Sequence, residues 1–185
     1  KNMLVPAWVG YDIGCGMTAA KLPKSILPLL REKTQAIYQA VKRNVPMGLG
    51  EINKSDSRIT AETKKEFAKI LFVFKKGPWD SRVLQFLESE RTIRNLGSLG
   101  HGNHFLSLNT DPAGIPWIVV HSGSRGIGHW IATQYMKKSS GKNVGFEATH
   151  PIPVNSQEGK EYLNLLDFCL EFAKLNRLEI VRQTC

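Results

Sequence analysis

The chain has 185 residues, of which 42% are hydrophobic and 22% charged, and 25 Lys and Arg against 16 Asp and Glu leave a formal net charge of +9. That composition excludes wholesale disorder, and no apolar run approaches the ~18 residues of a membrane-spanning helix. At about 100–200 residues per domain, residues 1–185 read as a single domain, and an isoelectric point of about 9.6 directs it to polyanions, RNA or DNA first and acidic membrane second, with a merely soluble basic surface as the plainer alternative.

In chain order, Met3-Leu4-Val5 reads as a buried strand entering a glycine-punctuated loop, Gly10 to Gly16, followed by a short strand at Thr18–Leu22. Pro28 to Val45 is helical in pattern, with Leu30, Ile37, Tyr38 and Val41 on one face, Pro28 in the first turn and Pro46 as the stop. A polar loop, Gly48–Ser57, precedes a helix that Thr60 can cap, with Phe67, Leu71 and Phe74 on its apolar stripe and Lys64, Lys65 and Lys69 on a solvated side. Gly77-Pro78 breaks that helix, and Asp80 can cap a third running to Asn95. Phe105–Leu108 and Ile115–His121 read as strands joined by the turn Asn109-Thr110-Asp111-Pro112. A helix follows from Ile127 to just before Ser139, then a Gly-, Ser- and Pro-rich connection to Asn155. A last helix of about 25 residues starts near Gln157, apolar at Tyr162, Leu166, Cys169, Phe172, Ala173 and Leu178. These elements predict an α+β fold, a β-sheet core flanked by helices with chemistry-bearing loops at its strand ends.

Three cysteines, Cys15, Cys169 and Cys185, are odd in number and share no disulfide-like spacing, and no basic-then-apolar leader opens the chain, so a cytoplasmic setting is expected. Cys169 reads as a small core residue. Cys15 sits in the first of three loops that carry chemistry. In Gly10-Tyr-Asp12-Ile-Gly-Cys15-Gly16, a carboxylate and a thiolate three residues apart on a tight turn can converge on a divalent ion; the plainer reading is a turn with a buried free thiol. In Gly97-Ser-Leu-Gly-His101-Gly-Asn103-His104-Phe105, His104 stands at a strand start where it can complete the site, Asn103 adds a donor and an acceptor, and His101 reads equally as solvent-exposed. In His121-Ser-Gly-Ser124-Arg125-Gly-Ile-Gly-His129, a strand delivers His121, and hydroxyls, a guanidinium and a helix start form an oxyanion or phosphate cradle or, more plainly, a hydroxyl-rich cap with one surface Arg; His129 reads as structural or surface. Together the loops supply Asp, Cys, His and His beside that cradle, a set suited to one or two metal ions acting on phosphate. A serine nucleophile at Ser122 or Ser124 is the rival enzyme reading, without a carboxylate partner at a diagnostic spacing.

The blocks Val9–Met17, Gly97–Phe105 and His121–His129, in this order, resemble the RtcB family of RNA-splicing ligases, and Ser156–Tyr162 with the helix ending Leu175-Asn-Arg177 is similar to the family's segment after the third block. The resemblance spans nearly the whole chain. It implies a GTP- and manganese-dependent ligase that joins RNA 3′-phosphate or 2′,3′-cyclic phosphate ends to 5′-hydroxyl ends through a guanylylated histidine, acting on tRNA halves or broken RNA. Residue by residue, it implies Asp12, Cys15 and His104 on one Mn2+, Cys15 bridging to a second that His121 also binds, Asn103, His104, Phe105, Leu106 and Ser107 lining the guanylate site, and Ser124 and Arg125 on RNA phosphates. By ligand chemistry alone zinc suits the same donors. The family usually has a glutamate where this chain has Ser107. Its guanylylated histidine lies beyond the point matching Cys185, and an N-terminal Asp-x-His stretch precedes the point matching Lys1. The chain is therefore expected to be the central portion of a longer catalytic domain, with Lys1 and Cys185 as cut ends, inactive by itself. The competing classes are a non-catalytic RNA-binding module derived from the family and a metal-dependent cyclic-phosphate phosphoesterase.

Overall fold

The computed structural model describes residues 2–77, 79, 81–141 and 149–185. Pro78, the expected cap Asp80 and the middle of the 139–155 connection lie outside the described residues. The fold is α+β, as expected, with five strands and eight α-helices among the described residues: β1 (Met3–Leu4), α1 (Pro6–Val9), β2 (Gly16–Lys21), α2 (Leu27–Glu32), α3 (Thr34–Asn44), α4 (Ala61–Phe74), α5 (Ser81–Leu87), α6 (Glu90–Arg94), β3 (Phe105–Thr110), β4 (Pro116–Ser122), α7 (Gly126–Ser140), β5 (Ile152–Pro153) and α8 (Gln157–Thr184). None of the described helices is long and apolar enough to cross a membrane.

Several elements differ from their expected form for local reasons. The opening strand is two residues long and pairs with β5, and Met3 is 48% exposed rather than buried; Pro6 then starts a one-turn helix, the position a proline tolerates best. The helix expected over 28–45 divides at Lys33, whose backbone leaves the helical region, while the Thr34 hydroxyl donates to the Leu30 carbonyl at 2.6 Å. Tyr38, expected on the apolar face, is exposed. The helix expected to reach Asn95 divides at Ser89, whose hydroxyl donates to the Phe86 carbonyl and accepts from Thr92 N–H, closing one helix and capping the next. The cap at Thr60 stands where expected, accepting from Thr63 N–H.

β4 is the central strand of a three-stranded antiparallel sheet, β2-β4-β3. Its burial alternates strictly, and the inner face, with Ile118 and Val120 beside Leu106 of β3, packs on Val41 of α3 and Ile180 of α8. The register sets Met17 and Phe105 on either side of His121, and Gly16 opposite Ser122, so the first loop leaves the sheet at the same end as His104 and His121. The larger part of the core is helical rather than sheet-centred. α8, capped by Ser156, runs through it with Tyr162, Leu165, Phe168, Cys169, Phe172 and Ala173 buried, and Phe67 of α4 meets Phe168 and Phe172 edge-on.

The last turns of α8 carry three buried polar residues, Asn176, Arg177 and Glu179. The Glu179 carboxylate accepts from Thr60 N–H (2.9 Å), Thr60 Oγ1 (2.7 Å), Thr63 Oγ1 and Gln183 Nε2 (3.0 Å), which ties the start of α4 to α8. A buried donor that loses its acceptor costs about 1–3 kcal/mol. Glu179→Leu is therefore expected to destabilise the fold by about 3 kcal/mol, and Glu179→Gln by less because it keeps acceptor capacity, as read from urea unfolding midpoints.

Candidate metal centre

The three loops converge. Cys15 Sγ lies 3.4 Å from His121 Nε2 and 3.6 Å from His104 Nε2, and the three donor atoms fall within 4.8 Å of one another. Tetrahedral coordination with metal–sulfur and metal–nitrogen bonds of about 2.3 and 2.0 Å separates sulfur from nitrogen by about 3.5 Å. The donors are thus already spaced for one ion. Asp12 Oδ2 stands 2.7 Å from His104 Nε2 and adds a carboxylate to the cluster.

The imidazoles are fixed from behind. His104 Nδ1 lies 2.9 Å from the Leu99 carbonyl and His121 Nδ1 lies 3.2 Å from the Gly16 carbonyl. A carbonyl only accepts, so each Nδ1 donates to it, which turns each Nε2 toward the cluster. His104 Nε2 then faces a carboxylate oxygen at hydrogen-bond distance, a contact that needs a second proton or a shared cation. Burial, hydrogen bonding to Asp12 and the Asp12 charge push the Cys15 thiol up to about 11, while Arg177 and the Gly16 backbone act in the opposite sense. The cluster favours a positive ion.

Two residues of α8 hold the loops in place. Arg177 donates through Nη1 to the carbonyls of Gly14 and Ser122, both at 2.9 Å, and through Nε to Thr18 Oγ1 at 3.1 Å. Burial lowers its guanidinium pKa, and the neighbouring Cys15 and Asp12 oppose that shift. Asn176 Nδ2 lies 3.1–3.2 Å from Ser98 O, Ser122 Oγ and Gly123 O, and its Oδ1 accepts from Ser98 N–H. Neither residue has a role assignable from the sequence pattern. Their signal was present as two consecutive polar side chains interrupting the apolar stripe of the last helix. Glycine is required where the loops touch: a Cβ on Gly123 would collide with the Asp12 carboxylate, and Gly100, at φ +101°, leaves room for the Arg125 guanidinium and His104 Nδ1.

The remaining expected residues separate. Arg125 caps α7 with φ +59°, unusual for a residue with a side chain, and its Nε donates to Ser98 Oγ at 3.2 Å; burial lowers its pKa against the opposing pull of Asp12. Ser124 is fully buried, so the hydroxyl expected on RNA phosphate does not reach the surface; the same burial of Ser122 and Ser124 removes both as accessible nucleophiles. Asn103 is exposed, and Phe105 is exposed beside His121. Leu106 faces the other way, into the core with Val120, because side chains alternate along β3; it does not share a surface with Phe105 and Ser107. The Ser107 hydroxyl accepts from Asn109 Nδ2 at 2.6 Å. His101 is exposed, as one of its two readings had it, and exposed His129 stacks on Tyr11. Beside the cluster opens a groove of about 760 Å3 whose lining includes Asp12, His101, Asn103, His104, Arg125 and His129.

The comparisons identify the family. The family model described as tRNA-splicing ligase RtcB matches residues 1–185. Among curated relatives, the chain is 32% identical to the RNA-splicing ligase RtcB1 of Escherichia coli (96% of this chain, 45% of the relative). It is 26% identical to the tRNA-splicing ligase RtcB of Aeropyrum pernix (99% and 46%), and 25% identical to the RNA-splicing ligase RtcB homolog 1 of Entamoeba histolytica (95% and 40%). The chain spans less than half the length of these relatives. Matched from end to end by one family model, the chain belongs to the RtcB family of tRNA-splicing ligases.

Proposed function

We propose that this chain carries the metal-binding centre of a GTP-dependent RNA ligase. The reaction joins an RNA 3′-phosphate or 2′,3′-cyclic phosphate to a 5′-hydroxyl through a guanylylated histidine, on tRNA halves or broken RNA in the cytoplasm. The observation that carries the reading is the convergence of Cys15 Sγ with two Nε2 atoms whose rings are held from behind by backbone carbonyls. Asp12, Cys15 and His104 would hold one Mn2+, and Cys15 and His121 a second. Bound there, the ions would neutralise phosphate charge and orient an in-line displacement.

The chain's own residues prepare that chemistry. Arg177 draws the Gly14 and Ser122 carbonyls together, which fixes the thiol beside His121. Arg125 sets a guanidinium at the edge of the groove, where an RNA phosphate would meet it. Asn103 stands at the groove with an amide free to orient a nucleotide, and Phe105 and Ser107 flank the same strand. The histidine that takes the guanylate is assigned outside residues 1–185.

The test is incubation with labelled GTP, manganese and an RNA bearing 2′,3′-cyclic phosphate and 5′-hydroxyl ends. The chain by itself is expected to bind metal and RNA and to take no covalent label. A label on one of its own histidines would overturn the assignment of the nucleophile. Phosphate release without joining would favour a phosphoesterase, and RNA affinity unchanged by Cys15→Ala and metal removal would favour a binding module.

A further inference from the structure

The groove beside the metal donors has a composition that the ligand set does not explain. Its lining includes Asp12 and His104 together with an aromatic pair: Trp130 of α7 stacks on Phe86 of α5 with ring centroids 4.2 Å apart and planes 19° apart. Arg91 and Arg125 supply two guanidinium groups, and Asp12, the lone carboxylate among the groove's lining residues, is already engaged by His104. At about 760 Å3 the groove falls in the range of cavities that take small organic ligands, about 300–1,000 Å3. A half-buried tryptophan facing a cationic groove is the combination that single-stranded nucleic acid uses, since every base has a face to stack and every linkage a charge to neutralise.

We propose that this groove takes the unpaired terminal nucleotides of an RNA strand, with Trp130 in the platform on which a base stacks and Arg91 and Arg125 on the flanking phosphates; this rests on the RNA ligase reading above. A nucleotide seated there shares the groove with Asp12 and His104. A base-paired terminus does not fit the same role, because its terminal base is held to its partner and stacked on the next pair, and must be unpaired before it can enter the groove. The groove therefore makes the protein select frayed or single-stranded ends over blunt ones.

The experiment measures binding at low salt of three internally labelled RNAs by fluorescence anisotropy: one with unpaired ends, one with the same ends base-paired, and one with abasic riboses at the terminal positions. Each is titrated with the unsubstituted protein, Trp130→Ala and Trp130→Phe. The paired and abasic RNAs are expected to bind the unsubstituted protein about 5- to 140-fold more weakly, the range of one lost base stack, and Trp130→Ala to lose the preference while Trp130→Phe keeps most of it. Equal affinity for abasic and intact ends overturns the proposal and leaves a charge-only groove of the kind an acidic peptide would also fit. An unchanged preference in Trp130→Ala overturns it as well. No RNA binding by the unsubstituted protein overturns the RNA reading and this inference together.

Discussion

Cys15→Ala is expected to abolish tight binding of thiophilic divalent ions while leaving the unfolding midpoint nearly unchanged. The residue is exposed as a whole and contributes little to the core, whereas its partly desolvated thiol is the one donor that meets both imidazoles. Loss of an outer-shell partner alone typically costs 10–100-fold in metal affinity, so loss of the shared ligand is expected to exceed roughly 100-fold. The pH dependence carries the same signature. With the metal-free thiol pushed up to about 11, Cys15 is protonated at neutral pH, and binding must expel that proton. Raising the pH therefore strengthens binding, by about tenfold per unit for this one proton until the thiol itself titrates. The alanine variant is expected to lose that part of the slope. Titration calorimetry with Zn2+ in buffers of different ionisation enthalpy gives affinity and proton release together; affinity and proton release unchanged in Cys15→Ala would remove the thiol from the ligand set.

Much of the site was legible in the sequence because its loops are short and their chemistry is local. Asp12 and Cys15 share one turn, His104 precedes a strand, and His121 ends one; pairing β2 and β3 to β4 then brings the three loops to the same edge. The register that does this is not written in β4, where Trp117-Ile118-Val119-Val120 is a continuous apolar run whose alternation appears only in the burial of the paired strand. What stayed hidden depends on which way a side chain turns. Ser124 and Arg125 are neighbours in a loop that reads as uniformly polar, yet one hydroxyl is sealed in the core and the other residue reaches the groove. Leu106 follows the strand's alternation inward, which a contiguous nucleotide-lining stretch overlooked. The breaks at Lys33 and Ser89 carry no periodic signal, because a helix-compatible periodicity continues across both; hydroxyl side chains competing for backbone groups decide those boundaries, and that competition leaves no trace in hydrophobic period.

The support behind the metal donors was the least legible part and is where the second large effect is expected. Arg177 lies 9% exposed inside the sequence's longest helix, in a position that periodicity alone assigns to the core. Its three hydrogen bonds hold the Gly14 and Ser122 carbonyls and the Thr18 hydroxyl, and its charge favours the Cys15 thiolate. Arg177→Met keeps a long stem and deletes both functions. A buried carbonyl and a part-buried one lose their donor, which is expected to cost about 3 kcal/mol and lower Tm by about 6–12 °C for a chain of this size. The thiol, released from a stabilising cation, moves further up, so metal affinity at fixed pH falls in the same variant. Cys15→Ala weakens metal binding without the stability loss, which separates the two mechanisms. The direct readout is the pH profile of Cys15 alkylation in a Cys185→Ser background, since Cys169 is buried. The profile is expected to shift to higher pH in Arg177→Met and less so in Arg177→Lys, which retains the charge but not the forked hydrogen bonds. An alkylation profile and a Tm both indistinguishable from the unsubstituted protein would show that Arg177 neither holds the loop nor tunes the thiol.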